Sequence, residues 1–110
     1  MVGDVHLAKI YFTNNQGYKI RPILIIKINT FGDFIYVPIT TSNEISGVPL
    51  KEGDFKEGGI PKQSVIVFEK ISVISTELIS KKLGVVNDGV LFEVISKIVV
   101  FLSDKNIGLS

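Results

Sequence analysis

RPILIIKINTFGDFIYVPITTS (Arg21–Ser42) is the stretch that decides the fold. Its first part, RPILIIKI (Arg21–Ile28), is rich in branched apolar side chains, and FIYVPI (Phe34–Ile39) repeats that texture. Each run is strand-length, too short for a buried helix, and TFGD between them supplies turn residues. Pro22 cannot donate to a ladder, so it belongs at the beginning of its strand. Two such strands joined by a short turn make an antiparallel hairpin. That hairpin brings Arg21, at the start of one strand, beside Thr40, at the end of the other.

Upstream, VHLAKIYF (Val5–Phe12) reads as a strand covered on much of both faces, with Val5, Leu7 and Tyr11 on one and His6, Ala8, Ile10 and Phe12 on the other. TNNQGYK then supplies turn chemistry through Asn14, Asn15 and Gly17. Downstream, Thr40–Gln63 is broken by Gly47, Gly53, Gly58, Gly59 and Pro61 and reads as a long loop with one short strand at GVPL. SVIVFEKISVI (Ser64–Ile74) returns to strand character, interrupted by Glu69 and Lys70. The remainder reads as helical. Ser75 is placed to cap a short helix, TELISKKL, that stops at Gly84. Asn87 is placed to cap a longer helix ending near Ser103, with Leu91, Val94, Ile95, Ile98, Phe101 and Leu102 as its buried stripe. Phe92 and Val99 widen that stripe toward a second side, which fits either a wrapped core helix or one shared with a partner subunit.

Strands first and helices last predict a mainly β fold with C-terminal helices, its antiparallel sheet curled into a partial barrel. The 110 residues are about the size of one domain, 1–110. Without cysteine and with one histidine, His6, the chain offers neither disulfides nor the usual zinc ligands, so no metal or cofactor is expected. His6, near the start of a largely apolar strand, is assigned a structural role. A mean hydropathy of +0.39 is high for a soluble chain. Charges nevertheless cut every apolar stretch well short of the roughly 20 residues of a spanning helix. Asp4 stands where a signal peptide carries basic residues. A cytoplasmic protein without membrane contact is expected.

The net charge of +1 advertises no partner, but the basic residues are unevenly chosen: eleven are lysines and one, Arg21, is an arginine. A guanidinium presents a rigid planar fork that pairs with two phosphate oxygens and keeps its charge when partly desolvated. Those properties suit stabilisation of the extra negative charge on a pentacoordinate phosphorus. Thr40, Thr41 and Ser42 place hydroxyls beside it, where they either cap a turn or hold a phosphate. A structural Arg21 paired with Asp4 or Glu69 is the other reading of the same residue.

Taken in order, GDV before an apolar strand, FTNNQGYKIRPILII, VPITTS and GGIPKQSVIVFEKISVISTELISKKLGVV resemble the MazF/PemK toxins, from Gly3 to about Leu102. That resemblance implies an SH3-like β-barrel with a C-terminal helix, a homodimer and an antitoxin whose extended tail covers the site. It implies a metal-independent endoribonuclease of type II toxin–antitoxin systems, attacking through the ribose 2′-hydroxyl and leaving a cyclic phosphate and a 5′-hydroxyl. It places Arg21 at the family's catalytic arginine, Thr40 at its catalytic hydroxyl, Ser42 in its TS step and Glu69 at an acidic position. Val67 stands where some relatives have a second arginine. Gyrase-poisoning relatives depend on a C-terminal tryptophan, and this chain has no tryptophan.

Single-stranded RNA is therefore the expected substrate. Tyr18 and Phe12 would stack unpaired bases. Lys19 and Lys70 would meet the backbone, with Thr41, Ser42 and Glu69 at the edge of the site. Sequence recognition would lie in the loops Thr13–Lys19 and Asn43–Gln63. The competing expectations are a non-catalytic SH3-like module binding RNA or protein, and a degenerate toxin that only binds an antitoxin.

Overall fold

The computed structural model describes residues 1–42 and 44–105, so Asn43 of the second expected recognition loop lies outside the described residues. Eight strands precede one α-helix: β1 Asp4–Tyr11, β2 Tyr18–Ile28, β3 Phe34–Thr40, β4 Val48–Leu50, β5 Phe55–Gly58, β6 Ser64–Ile66, β7 Ser72–Ile74, β8 Ile79–Val86 and α1 Asp88–Ser103. The strands form one antiparallel sheet in the order β4-β6-β3-β2-β1-β8-β5, and β7 also pairs with β3. This is the curled half-barrel expected of the MazF/PemK type.

The two hairpins are built by their turn residues. Between β1 and β2 the Phe12 amide donates to the Gly17 carbonyl at 3.0 Å. Asn15 (φ 61°) and Gly17 (φ 111°) adopt the left-handed backbone that this reversal requires. Between β2 and β3 the Asn29 side chain accepts from the amides of Phe31 and Asp33, each at 3.0 Å.

Alternation along these strands fills two apolar layers. Val5, Leu24, Ile26, Val37 and Ile39 join Val48, Leu50, Ile66 and Val86 inside the barrel. Ala8, Ile23, Ile25, Tyr36 and Ile74 form a smaller layer on the opposite face. Both faces of β1 and β2 are thus covered, as their apolar runs predict.

The expected helix TELISKKL is not formed. Thr76–Leu78 is a single 3-10 turn, with the Ser75 hydroxyl accepting from the Glu77 amide, and Ile79–Val86 is β8. β8 has strand partners on both sides, β1 and β5. Those ladder bonds outweigh the helix propensity of its Lys-Lys-Leu core. Gly84 is no helix stop: a Cβ there would lie 2.4 Å from the Glu57 carbonyl oxygen, so β5 can pass only a glycine. The expected loop Thr40–Gln63 contains the short strand expected at GVPL, as β4, and also a strand that was not expected, β5.

SVIVFEKISVI is two strands rather than one. β6 pairs with the end of β3 and β7 with its beginning, and a 3-10 turn at Phe68–Lys70 separates them. The excursion occurs beside Pro38, which lacks an amide to donate. Pro38 still accepts from Val67 at 2.8 Å.

Helix α1 spans the predicted residues, but Asn87 does not cap it with its side chain. The Asn87 amide group donates instead to the Gly53 carbonyl at 3.2 Å, tying the helix start to the β4–β5 connection. Only Val94 and Ile98 of the expected stripe are fully buried. Phe92, Val99, Val100 and Leu102 remain exposed, so the helix seals one end of the barrel along a narrow line and leaves its outer face open. No helix of the described residues is long and apolar enough to cross a membrane.

Candidate functional site

Arg21 stands opposite Ala8 in the unbroken β1–β2 register, and Ile23 opposite Pro38 in the β2–β3 register. Continuing that second register by two residues sets Arg21 against Thr40. Strand alternation then puts both side chains on the face that carries Tyr36 and Pro38. A cleft of about 560 Å³ opens there, and Arg21, Thr40, Ser42 and Lys70 all line it.

The lining explains what the cleft can do. Among the described residues its cations are Arg21 and Lys70, and no carboxylate lines it. Arg21 makes no ion pair with Asp4, Glu69 or any other described residue, which removes the structural salt-bridge reading. Thr13, Tyr36, Thr40 and Ser42 bring further hydroxyls to the lining, and Ile10, Pro38, Ile45 and Val67 give apolar walls. Thr40 Oγ accepts from the Ser42 amide at 3.2 Å, and Ser42 Oγ from the Glu44 amide at 3.3 Å. Both oxygens are thereby held in place while their protons stay free to donate. Two cations and hydroxyl donors, with no acid among the described lining residues, make an anion site sized for a phosphate together with part of a nucleoside.

The structure gathers only some of the residues singled out in the sequence. Lys70 enters the cleft because the 3-10 turn carries it there. Its neighbour Glu69 turns away, into a second hollow between that turn and the outer face of α1. Thr41 is exposed and does not line the cleft. Lys19 shares Arg21's face by alternation but lies beyond the cleft wall, near the hairpin tip. Tyr18 falls on the opposite face of the hairpin, in edge contact with Tyr11 (5.7 Å between centroids) and 4.4 Å beneath the Lys9 ammonium. Phe12 is exposed in the turn beside it.

His6 is structural, as assigned: Nε2 lies 3.3 Å from Asp4 Oδ2 and Nδ1 lies 3.1 Å from the Ser80 carbonyl. Asp4 is the hub of this network. Burial alone would raise its carboxyl. Hydrogen bonds from the Met1 ammonium (2.6 Å) and His6, together with the charges of Met1 and Lys82, outweigh that and hold it below its ordinary value.

Sequence reasoning missed Tyr36 and Ser72, and named Thr13 only as part of the recognition loop Thr13–Lys19. Tyr36 reads as one more apolar strand residue, and Ser72 carries no signal until β7 is folded. Among the described residues no cluster of three or more His, Asp or Glu side chains could hold a metal ion.

The family model described as PemK-like, MazF-like toxin of type II toxin–antitoxin system matches residues 2–102. The chain belongs to this family. Among solved structures, this PemK/MazF-like chain is similar to an endoribonuclease in complex with its cognate antitoxin from a mycobacterial species. The two share 19% identity over 92% of this chain and 89% of the other, with a TM-score of 0.62. At that identity the likeness carries the fold. No curated protein matches the chain.

Proposed function

We propose that this PemK/MazF-like chain is a cytoplasmic toxin that cuts single-stranded RNA without a metal ion. The carrying observation is the cleft itself: Arg21, Lys70 and two turn-anchored hydroxyls converge where no carboxylate competes for the cations or offers a divalent ion a ligand. In this reading the 2′-hydroxyl loses its proton to water and its oxygen bonds to the adjacent phosphorus; the bond to the 5′-oxygen breaks, that oxygen takes a proton from water, and a 2′,3′-cyclic phosphate and a 5′-hydroxyl result. Arg21 stabilises the charge that builds on the phosphoryl oxygens. Thr40 and Ser42 orient the phosphate, Lys70 meets the neighbouring backbone, and Lys19 extends the positive track toward the hairpin tip.

Two partners follow in the same reading. The first is an antitoxin, the kind of partner found in the mycobacterial complex; here an extended tail would cover the cleft, its acidic groups meeting Arg21 and Lys70. A second copy would cover the outer face of α1, where Phe92 is 74% and Val100 69% exposed. Contiguous apolar surface of that kind commonly marks an interface.

Labelled RNA incubated with the protein in EDTA tests the reading. A nuclease shortens the RNA, and a binding module only retards it. Arg21→Ala is expected to lower the cleavage rate by about 100-fold or more while leaving the melting temperature in place.

A further inference from the structure

Tyr36 lies in the middle of β3, between Ile25 on β2 and Ser72 on β7. Its ring belongs to the outer apolar layer and the residue is only 8% exposed. A phenol so placed ordinarily finds a hydrogen-bond partner within the protein. The Tyr36 hydroxyl bonds to no described residue, yet it is not sealed from solvent. Tyr36 lines both the Arg21 cleft and a smaller hollow of about 160 Å³.

The other strand-borne hydroxyls are partly committed. Ser72 Oγ donates to the Lys70 carbonyl at 3.0 Å, and Thr40 Oγ accepts from Ser42. Tyr36 has its donor and its acceptor capacity free, on a ring that packing holds still. Its position along β3 sets what it can reach. Tyr36 and Thr40 share a face four residues apart, about 13 Å at a strand's rise per residue. Both residues line the Arg21 cleft, so a ligand seated there can meet both.

We propose that Tyr36 is a further substrate-contacting residue of this site: its phenolic oxygen accepts a hydrogen bond from the attacking 2′-hydroxyl while Thr40 and Arg21 hold the phosphate. The inference rests on the nuclease reading and adds to it the group that recognises ribose. The bond orients the nucleophile for in-line attack and transfers no proton. It also distinguishes RNA from DNA, since the 2′-hydroxyl is the difference between them.

Tyr36→Phe removes one oxygen and keeps the ring. Because that oxygen bonds to no described residue, the melting temperature is expected to stay put. Single-turnover cleavage in EDTA is expected to fall by about 10- to 100-fold, the cost of a loosely placed nucleophile. Affinity gives a second readout in the Arg21→Ala background, using the mapped RNA site with and without a single 2′-deoxy substitution at the cleaved position. Arg21→Ala should prefer the ribose form several-fold, and Arg21→Ala/Tyr36→Phe should not discriminate. Full-rate cleavage by Tyr36→Phe, or unchanged discrimination in the double variant, overturns the Tyr36 assignment and leaves the nuclease reading standing. A wild-type protein that leaves RNA intact overturns both.

Discussion

The Val67 amide donates to the Pro38 carbonyl at 2.8 Å, and this bond marks where the returning chain stops following β3. Past it the 3-10 turn Phe68–Lys70 swings Lys70 into the cleft and Phe68 toward α1, where its ring meets Phe101 edge-on at 6.4 Å. Val67 itself carries no charge, so Lys70 is the cation that this turn contributes. Lys70→Ala should weaken binding of an uncleavable 2′-deoxy oligonucleotide several-fold. It should also lower the salt dependence of binding by about 0.7 in log–log slope, the loss of one backbone contact to a single strand. Fluorescence anisotropy across a salt series measures both. An unchanged slope would remove Lys70 from the RNA path.

Gly84 gives a test of the fold. With a Cβ 2.4 Å from the Glu57 carbonyl oxygen and 2.8 Å from the Gly59 nitrogen, Gly84→Ala must push β5 away from β8. A loss of about 1–3 kcal/mol is expected in urea unfolding. Were TELISKKL helical with Gly84 as its left-handed stop, the same change would cost about 1–2 kcal/mol through backbone strain alone and would not displace β5.

That contrast shows what the sequence could reveal. The β2–β3 hairpin was legible because Asn29 to Asp33 carry their own turn chemistry between two apolar runs, and its register alone placed Arg21 against Thr40. The strand β8 was not, since its Lys-Lys-Leu segment and trailing glycine satisfy local helix rules. Its true partners, His6 and Ala8 on one side and Phe55 and Glu57 on the other, are distant in sequence. Glu69 and Lys70 were read as a pair, but successive residues of a 3-10 turn diverge, and only Lys70 reaches the cleft. Tyr36 was hidden because its ring serves the core and only its oxygen serves the site.

Asp4 makes stability depend on pH at the acid end. Its carboxyl is held below the ordinary value by the Met1 ammonium and His6. The resulting stabilisation is complete above the unfolded-state value and is lost as pH falls through the lowered folded-state value. Thermal melts of the wild type should therefore decline through that acid window. Asp4→Asn should be less stable at neutral pH and show a shallower decline. Parallel pH profiles for the two proteins would exclude the linkage.

The open face of α1 predicts self-association. Phe92→Lys/Val100→Lys places two charges on a surface that the barrel does not use. Sedimentation should find a dimer for the wild type and a folded monomer for the variant. A wild-type monomer at high concentration would assign that face elsewhere.

The most direct test of the central claim is end-group analysis of RNA exposed to wild type and to Arg21→Ala in EDTA. The wild type should yield fragments ending in a 2′,3′-cyclic phosphate and beginning with a 5′-hydroxyl, and Arg21→Ala, equally folded, should yield almost none. Equal cleavage by the two proteins, or fragments carrying 5′-phosphates, would contradict an Arg21-centred attack by the 2′-hydroxyl.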